Sequence, residues 1–571
     1  MTSVAVAAAL IAMLGMTSVL ALRGRRAASG SDFLAASRGV TPWWNASAIS
    51  GEYISAAAFL GSAGLVLAYG ADMLWLPIAA TAGYVLLLAL VTAPLRRSGA
   101  YTVSDFAEWR LGSRTVRRVV TGCVCFIGWF YLLPQFQGAG VTLRVLTGAP
   151  VWTGWAVVVG AALLLAASGG MRSITAVQAV QFWLKLTAVA VPAVTLVTVW
   201  NLTGAPDPVA DTPPAFERAT RVRVHTSVAV TVPAAVTVTA RGRVDGVNRY
   251  NERVPLSPGR HTIGAGTDVH FPAGAAVPHA ERLPVQDGAT WATPFERSEG
   301  QGFFRTYSAL LAVLLGTMGL PHILMRFYTS TSGAAARRTA AFVPVLLALF
   351  YVFPTLYGTL GRLYAPELLM TGDTDATLLT LPQRMIPGPG GALLTGLVTA
   401  GAFAAFISTS CGMVVALAGT VSQCVRRRSG VTSFRVGAVL ALAVPLAVLP
   451  RIAPHDAAGL VTMALCVSAC SLCPLLVLGI WWRGLTAAGA AAGLLTGGGL
   501  TVAAGAVRLF RDPWTGWAHD LLAQPAAAVA PAAFAVMIAV SLLTRRRVPR
   551  RADRALMKLH LPEDTPAAER R

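Results

Sequence analysis

Residues 45–64 read NASAISGEYISAAAFLGSAG, and this stretch decides how the chain folds. It lies inside an apolar segment long enough to cross a bilayer, yet Gly51, Glu52 and two serines occupy its middle, where a lipid-facing helix carries Leu and Val. A carboxylate or an unpaired backbone group at membrane depth is tolerated only where it faces protein or a water-filled cavity. The stretch therefore predicts a broken helix that lines a pathway through a membrane protein.

The composition of the whole chain supports this interpretation. The 571 residues are 55% hydrophobic and 12% charged, with a mean hydropathy of +0.61, which is too apolar for a soluble domain of this size. The net charge of +21 is typical of a nucleic-acid-binding protein, but the arginines cluster at the ends of apolar runs, where they set membrane topology. We therefore expect a polytopic protein whose partner is the lipid bilayer, with no nucleic-acid partner.

Apolar runs of about twenty residues mark the spans. They predict thirteen helices, near residues 3–22, 43–69, 73–95, 117–147, 151–170, 174–200, 303–325, 340–362, 391–423, 434–450, 457–481, 485–507 and 525–544. In this count the arginine-rich connections fall on one side, which the positive-inside rule assigns to the cytoplasm. The first run is followed by Arg23, Arg25 and Arg26, so we expect a retained helix with the N-terminus outside and the C-terminus in the cytoplasm.

These spans suggest a division of the chain. The expected units are a first helix with its basic flank (1–30), the first half of a transporter core (31–200, helices 2–6), an extracellular insert (201–302), the second half (303–483, helices 7–11), two accessory helices (484–544) and a cytoplasmic tail (545–571). Alternating apolar and polar residues in 221–232 and 235–244 predict a small β-rich subdomain in the insert. The tail, basic and then acidic, is expected to be disordered.

A second interrupted helix matches the first. Residues 315–326 read LGTMGLPHILMR and lie in the seventh predicted helix, five helices after the second. Gly- or Pro-interrupted helices at corresponding positions of two halves mark the binding site of many alternating-access transporters. Because each half would contain five helices, an odd number, the second half would cross the membrane in the opposite orientation to the first. The alternative is that these glycines only ease close helix packing.

A third stretch offers oxygen ligands. In residues 399–419, TAGAFAAFISTSCGMVVALAG, the hydroxyls of Ser408 and Thr409 share a helix face with the carbonyl of Ala405. Together with unwound carbonyls between Gly51 and Ser55 they would suit a hard cation such as Na⁺. The alternative is that the hydroxyls only bond their own helix backbone.

Three segments resemble the sodium:solute symporter family, in particular its cation/acetate and monocarboxylate branch. They are SDFLAASRGVTPWWNASAISGEYISAAAFLG (31–61), LGTMGLPHILMRFYT (315–329) and AFAAFISTSCG (402–412). The resemblance implies an all-α, leucine-transporter-like fold of five plus five inverted helices, with one helix added before and two after. It also implies Na⁺ as coupling ion, held by the Ser408 and Thr409 hydroxyls and by the carbonyls of Ala405, Gly51 and Ile54.

Other residues depart from the branch or remain open. Glu52 stands where that branch usually has Asp, and Cys411 and Gly412 are unusual after the hydroxyl pair, so proton coupling remains an alternative. We expect Glu52 to be either a coupling-ion ligand or the gate partner of a cytoplasmic arginine. Candidate substrate-binding residues near the interrupted helices are Ser55, Gln135, Thr317 and Gly319.

The sequence thus predicts a secondary transporter of the cell membrane, not an enzyme, that imports a small monocarboxylate such as acetate with Na⁺ by alternating access. One alternative is a Na⁺ or H⁺ symporter for pyruvate, propionate, an amino acid or a sugar. Another is a transporter-like sensor, which predicts solute binding without accumulation. The pattern of residues indicates no oligomeric state.

Overall fold

The computed structural model describes residues 1–23, 38–168, 171–209, 214–284, 287–294, 301–425, 431–451, 457–510 and 516–563. Within these ranges the chain is mainly helical. Along the sequence, the strands of one sheet separate a first group of long apolar helices from a second group. The predictions made for Arg25 and Arg26 and for residues 564–571 lie outside the described residues, as does the arginine-rich connection at 426–428.

The helices before the insert run in chain order. They are α1 (Thr2–Arg23), α2 (Pro42–Tyr53), α3 (Ser62–Tyr69), α4 (Trp75–Leu90), α5 (Thr92–Ser98), α6 (Val103–Leu111), α7 (Arg114–Thr147), α8 (Val151–Ser168) and α9 (Met171–Leu202). A π-helical turn (Ala57–Gly61) leads into α3, and a 3₁₀ turn (Gly70–Leu74) joins α3 to α4.

The helices of the rest of the chain follow the sheet. They are α10 (Gly288–Ala292), α11 (Gln301–Gly319), α12 (Pro321–Phe327), α13 (Gly333–Tyr364), α14 (Glu367–Thr371), α15 (Thr377–Met385), α16 (Pro389–Val425), α17 (Val431–Val448), α18 (Ala457–Cys470), α19 (Leu472–Trp481), α20 (Ala487–Phe510), α21 (Trp517–Ala523), α22 (Ala526–Leu543) and α23 (Ala552–His560).

Long apolar helices confirm the predicted fold class. Each of the thirteen predicted spans coincides with helical residues. Ten helices in the described part of the chain are long and apolar enough to cross a membrane, or eleven if the bent pair α11 and α12 is one span. The chain is a polytopic α-helical membrane protein.

Both expected interruptions are present. The first lies between α2 and the π-helical turn, where Ile54 has ψ of 87° and leaves the helical region. The second lies at Leu320, with ψ of 114°, and the two helices it joins are bent by 40°. Pro321 begins the second of these helices, because proline has no N–H to place in the first turn.

The insert contains the predicted β structure. Its strands are β1 (Thr220–Val224), β2 (Val228–Val232), β3 (Val236–Val244), β4 (Val247–Leu256), β5 (Gly259–Ile263), β6 (Thr267–Phe271) and β7 (His279–Ala280). They pair antiparallel in the order β1-β6-β3-β5-β2-β7, with β4 also paired to β3. Alternate apolar residues such as Val230, Val232 and Val238 are buried, which is the pattern of a sheet with one covered face.

The expectation of a disordered tail is wrong for its first part. Residues Ala552–His560 form α23, and this helix is held by the arginine-rich connections. Arg97 donates to the carbonyls of Leu559 and His560, and Arg483 pairs with Asp553 at 2.7 Å. Tertiary contacts with these neighbours give order to a segment whose composition alone predicts none.

The insert is fixed to the core by Trp291. Its indole N–H donates to the carbonyls of Val66 and Leu67, at 3.0 and 3.1 Å, near the end of α3. Gly70 follows this helix with φ of +66° and ψ of −141°, a backbone region that only glycine occupies readily. A Cβ on Gly70 would lie 1.9 Å from the Trp291 carbonyl oxygen, so the contact requires glycine.

We therefore expect Gly70→Ala to lower the stability of the protein by more than the roughly 1–3 kcal/mol of backbone strain alone. The matched control is Gly516→Ala, because Gly516 has nearly the same backbone angles, with φ of +67° and ψ of −146°, and is exposed. Thermal unfolding of the purified protein in detergent measures both. Equal losses for the two variants would contradict the proposed anchoring contact.

Candidate functional site

The interruption after α2 exposes backbone carbonyls that two hydroxyls of α16 reach. Ser408 Oγ donates to the Gly51 carbonyl at 2.8 Å, and Thr409 Oγ1 donates to the Glu52 carbonyl at 2.7 Å. The Ala405 carbonyl lies 3.2 Å from Ser408 Oγ as an alternative acceptor. The structure thus brings the residues predicted for Na⁺ together around the break, and both hydroxyls bond across to α2.

Sequence reasoning missed Lys185, which lies among these residues. Its ammonium group, on α9, donates to the carbonyls of Gly51 and Ile54 and to Ser408 Oγ, with 3.0 Å between Nζ and the Ile54 oxygen. The signal was present in the sequence, since a lysine inside a 32-residue apolar helix marks a functional site by default.

Gln135 satisfies the backbone on the other side of the break. Its Oε1 accepts from the Ala56 N–H at 2.9 Å, and its Nε2 donates to the Tyr131 carbonyl at 3.1 Å. Ser55 is buried beside the break and lines a cavity together with Tyr131. The bond to Ala56 replaces a helical hydrogen bond that the break removes.

Thr317 and Gly319 lie on the second interrupted helix. Thr317 Oγ1 is 3.3 Å from the Tyr53 hydroxyl, which links α11 to the end of α2. A Cβ on Gly319 would lie 2.5 Å from Ser468 Oγ, so this glycine permits α18 to approach closely. Neither residue is in the lining of the cavity described below, and their role in substrate binding stays a prediction.

Glu52 forms an ion pair with Arg326 of α12, the helix that follows the second interruption. Arg326 Nε donates to Glu52 Oε2 at 2.8 Å, and both side chains are 1% exposed. The remaining donors of Arg326 reach Thr175 Oγ1, at 2.7 Å, and Gln178 Oε1 on α9. The ion pair and these hydrogen bonds link α2, α9 and α12. Removing one partner of a buried ion pair typically lowers the free energy of unfolding by about 3–5 kcal/mol.

Gly412 makes room for the longer side chain of Glu52. A Cβ at this position would lie 1.5 Å from Glu52 Oε1. Glu52 and Gly412 are therefore complementary, because the extra methylene of glutamate occupies the volume that any other residue at 412 would fill. The departures at positions 52 and 412 have one steric explanation.

A cavity of about 90 Å³ opens beside the break. One buried water molecule needs roughly 10–15 Å³ of such space, so the cavity suits a solute of a few non-hydrogen atoms. Ser55 is the one predicted substrate residue in its lining, and none of the lining residues in the described part of the chain is charged. Other polar groups of the lining are Tyr53, Ser62, Tyr131, Tyr351, Thr355 and Thr462.

The steric match between residues 52 and 412 can be tested by compensation. We expect Gly412→Ala to displace the Glu52 carboxylate from Arg326 and to destabilise the protein by about 3 kcal/mol. The double variant Glu52→Asp/Gly412→Ala should recover part of this loss, because aspartate is one methylene shorter. Thermal unfolding in detergent checks both expectations.

Gly122→Ala is the control, because a Cβ on Gly122 meets nothing within 4 Å. A Gly412→Ala protein as stable as the wild type, or a double variant no better than the single one, would contradict the steric account.

Comparison with known proteins agrees with this architecture. The chain is similar to the uncharacterized symporter YwcA of Bacillus subtilis (strain 168), with 26% identity over 85% of this chain and 83% of the relative. It is also similar to a monocarboxylic acid transporter of Corynebacterium glutamicum, with 26% identity over 84% of this chain and 79% of the relative.

Two solved structures share the fold at low sequence identity. A Na⁺-coupled sialic acid symporter in a substrate-bound outward-open state superposes with a TM-score of 0.65 and 11% identity, covering 94% of this chain and 97% of that chain. Mhp1, a nucleobase-cation-symport-1 family transporter, gives a TM-score of 0.51 and 13% identity, covering 93% and 99%.

The predicted leucine-transporter-like fold is thereby confirmed. The model of the sodium:solute symporter family matches residues 33–214 and 284–497, which is more than half of the chain. The two matched ranges contain both interrupted helices and α16, and they leave out most of the β insert. The chain belongs to the sodium:solute symporter family.

Proposed function

We propose that this protein is a secondary active transporter that brings a small monocarboxylate, acetate being the first candidate, into the cell with a coupling cation by alternating access. The observation that carries the proposal is the interruption after α2, whose backbone is satisfied by side chains of α7, α9 and α16 beside a small cavity, together with its counterpart at Leu320. Such discontinuous helices form the substrate and ion sites of transporters with inverted repeats.

The cavity supports a small anionic solute. Its hydroxyl groups supply hydrogen-bond donors, and the helical segment that begins at Ala57 directs N–H groups toward the break, where a carboxylate is favoured. Its volume of about 90 Å³ accommodates acetate or propionate. The name of the Corynebacterium glutamicum relative points to the same substrate class.

Na⁺ is the coupling ion that family membership favours. The predicted Na⁺ ligands are Gly51, Ile54, Ala405, Ser408 and Thr409. A proton is the second candidate, and a specific observation favours it: the Lys185 ammonium lies where the ion was predicted. The free energy of the gradient includes about 2.3 kcal/mol per charge and 100 mV of membrane potential.

We also propose the orientation that the arginine distribution predicts, with the N-terminus outside and the C-terminus in the cytoplasm. Arg97 and Arg483 contact α23 at one end of the helices, whereas Trp291 ties the insert to the far end of the broken helix. This arrangement supports a cytoplasmic tail and an extracellular insert.

Uptake of labelled acetate into proteoliposomes tests the proposal. The protein is assayed with an inward Na⁺ gradient, with K⁺ in place of Na⁺, and with a proton gradient alone. We expect accumulation above equilibrium under a cation gradient. In the Ser408→Ala/Thr409→Ala variant we expect an initial rate at least about tenfold lower, the equivalent of about 1.4 kcal/mol, because α16 loses its two bonds to the break.

Thr399→Ala is the matched control, since Thr399 is a buried hydroxyl of the same helix that bonds its own backbone at Thr395. Its uptake should equal that of the wild type. No accumulation of acetate, propionate or pyruvate under any gradient would overturn the monocarboxylate substrate. Binding without accumulation would favour the sensor alternative.

A further inference from the structure

Lys185 is an unusual residue in this chain. Of the 46 Lys and Arg residues only Lys185 and Lys558 are lysines, and Lys558 lies on the tail helix α23. Lys185 is fully buried in the middle of the apolar helix α9. A buried ammonium group is costly unless all its donors find acceptors, so its surroundings have to supply oxygen atoms.

The surroundings supply three oxygen atoms. An ammonium group has three N–H donors, and Lys185 directs them to the carbonyls of Gly51 and Ile54 and to Ser408 Oγ. These three oxygens belong to the five residues predicted to hold Na⁺. The ammonium therefore lies inside the oxygen cage expected for the ion, and a compact point charge suits this cage better than the planar fork of arginine.

Among the described residues, the direct ion-pair partner of Glu52 is Arg326 and not Lys185. The Glu52 carboxylate is paired with Arg326 at 2.8 Å. Lys185 is held by neutral carbonyl and hydroxyl oxygens, which is also how Na⁺ is bound in transporters with unwound helices. The oxygen cage holds one positive charge whether it contains the Lys185 ammonium group or a Na⁺ ion.

We propose that the Lys185 ammonium replaces Na⁺ at this position as a covalently tethered cation, so that this position binds no Na⁺ in the wild-type protein. This inference rests on the proposed function in treating the break as the cation site of a symporter. A second cation in the same cage would meet like charge at contact distance.

The replacement has a consequence for transport. A tethered cation holds α2, the break and α16 together as Na⁺ would, but it cannot leave for the cytoplasm. Release of Na⁺ from this position therefore cannot drive uptake. The driving cation is either a proton or a Na⁺ ion that binds at a different position.

Binding of ²²Na⁺ and thermal unfolding of the purified full-length protein test this inference without any solute. Na⁺ is compared with K⁺ at constant ionic strength. We expect that any ²²Na⁺ binding to the wild type is unchanged in Ser408→Ala/Thr409→Ala. Lys185→Ala should unfold at a lower temperature in K⁺ and gain saturable, Na⁺-specific stabilisation of about 5 °C or more, because it opens the oxygen cage.

Two further variants separate the role of the cage from general packing. Lys185→Met removes the charge and fills the volume, so we expect it to be destabilised and to gain no response to Na⁺. Lys558→Ala should behave as the wild type. Saturable Na⁺ binding to the wild type that Ser408→Ala/Thr409→Ala abolishes would overturn the inference, as would a folded Lys185→Ala protein without any Na⁺ response.

If Lys185→Ala cannot be purified, the comparison of the wild type with Ser408→Ala/Thr409→Ala decides. Absence of ²²Na⁺ binding to the wild type supports the inference. Binding of ²²Na⁺ that is equal in the wild type and in Ser408→Ala/Thr409→Ala supports it as well. Failure of the proposed function has a different readout, namely the absence of solute accumulation in proteoliposomes. The binding result stands in that case.

Discussion

The structure depends on the need to satisfy backbone groups of a helix that is interrupted at membrane depth. The bilayer core contains no water that could hydrogen-bond the carbonyls of Gly51, Glu52 and Ile54, so protein groups have to supply the donors. Lys185, Ser408 and Thr409 satisfy these carbonyls, and Gln135 accepts from the N–H of Ala56. The break thereby determines which faces of α7, α9 and α16 carry polar residues and how these helices are oriented toward each other.

The buried pair of Glu52 and Arg326 adds a second constraint at the same place. It joins the interrupted helices of the two halves and engages Thr175 and Gln178 of α9. Buried ion pairs are a poor source of net stability, since desolvation offsets much of the attraction. Their value here is positional: the pair and Gly412 fix where α2 ends relative to α12 and α16, and a cavity remains beside this junction.

Much of the fold could be predicted from the sequence because the bilayer imposes simple rules. Span length, the interruption at Gly51 and Glu52, and the alternation of Val230 and Val232 in the insert are local signals that need no tertiary information. The helical tail segment around Asp553 could not be predicted, since its order comes from contacts with Arg483 and Arg97, far away in sequence.

The candidate site was predictable in part for the same reason. The hydroxyls of Ser408 and Thr409 and the polar break are visible as exceptions within apolar runs. A single lysine is diluted in the hydropathy of α9, and nothing in the sequence shows that the face bearing Lys185 meets Gly51 rather than lipid or another helix. Only the packing of α9 against α2 and α16 places its ammonium group among the predicted ligands.

The most direct measurement is a pair of high-resolution cryo-electron microscopy maps of the protein in lipid nanodiscs, one in Na⁺ and one in K⁺. The account predicts the same density within the oxygen cage in both maps, with the Lys185 side chain reaching the Gly51 and Ile54 carbonyls and Ser408. A separate ion peak within this oxygen cage in Na⁺ alone, with Lys185 turned away, would contradict it.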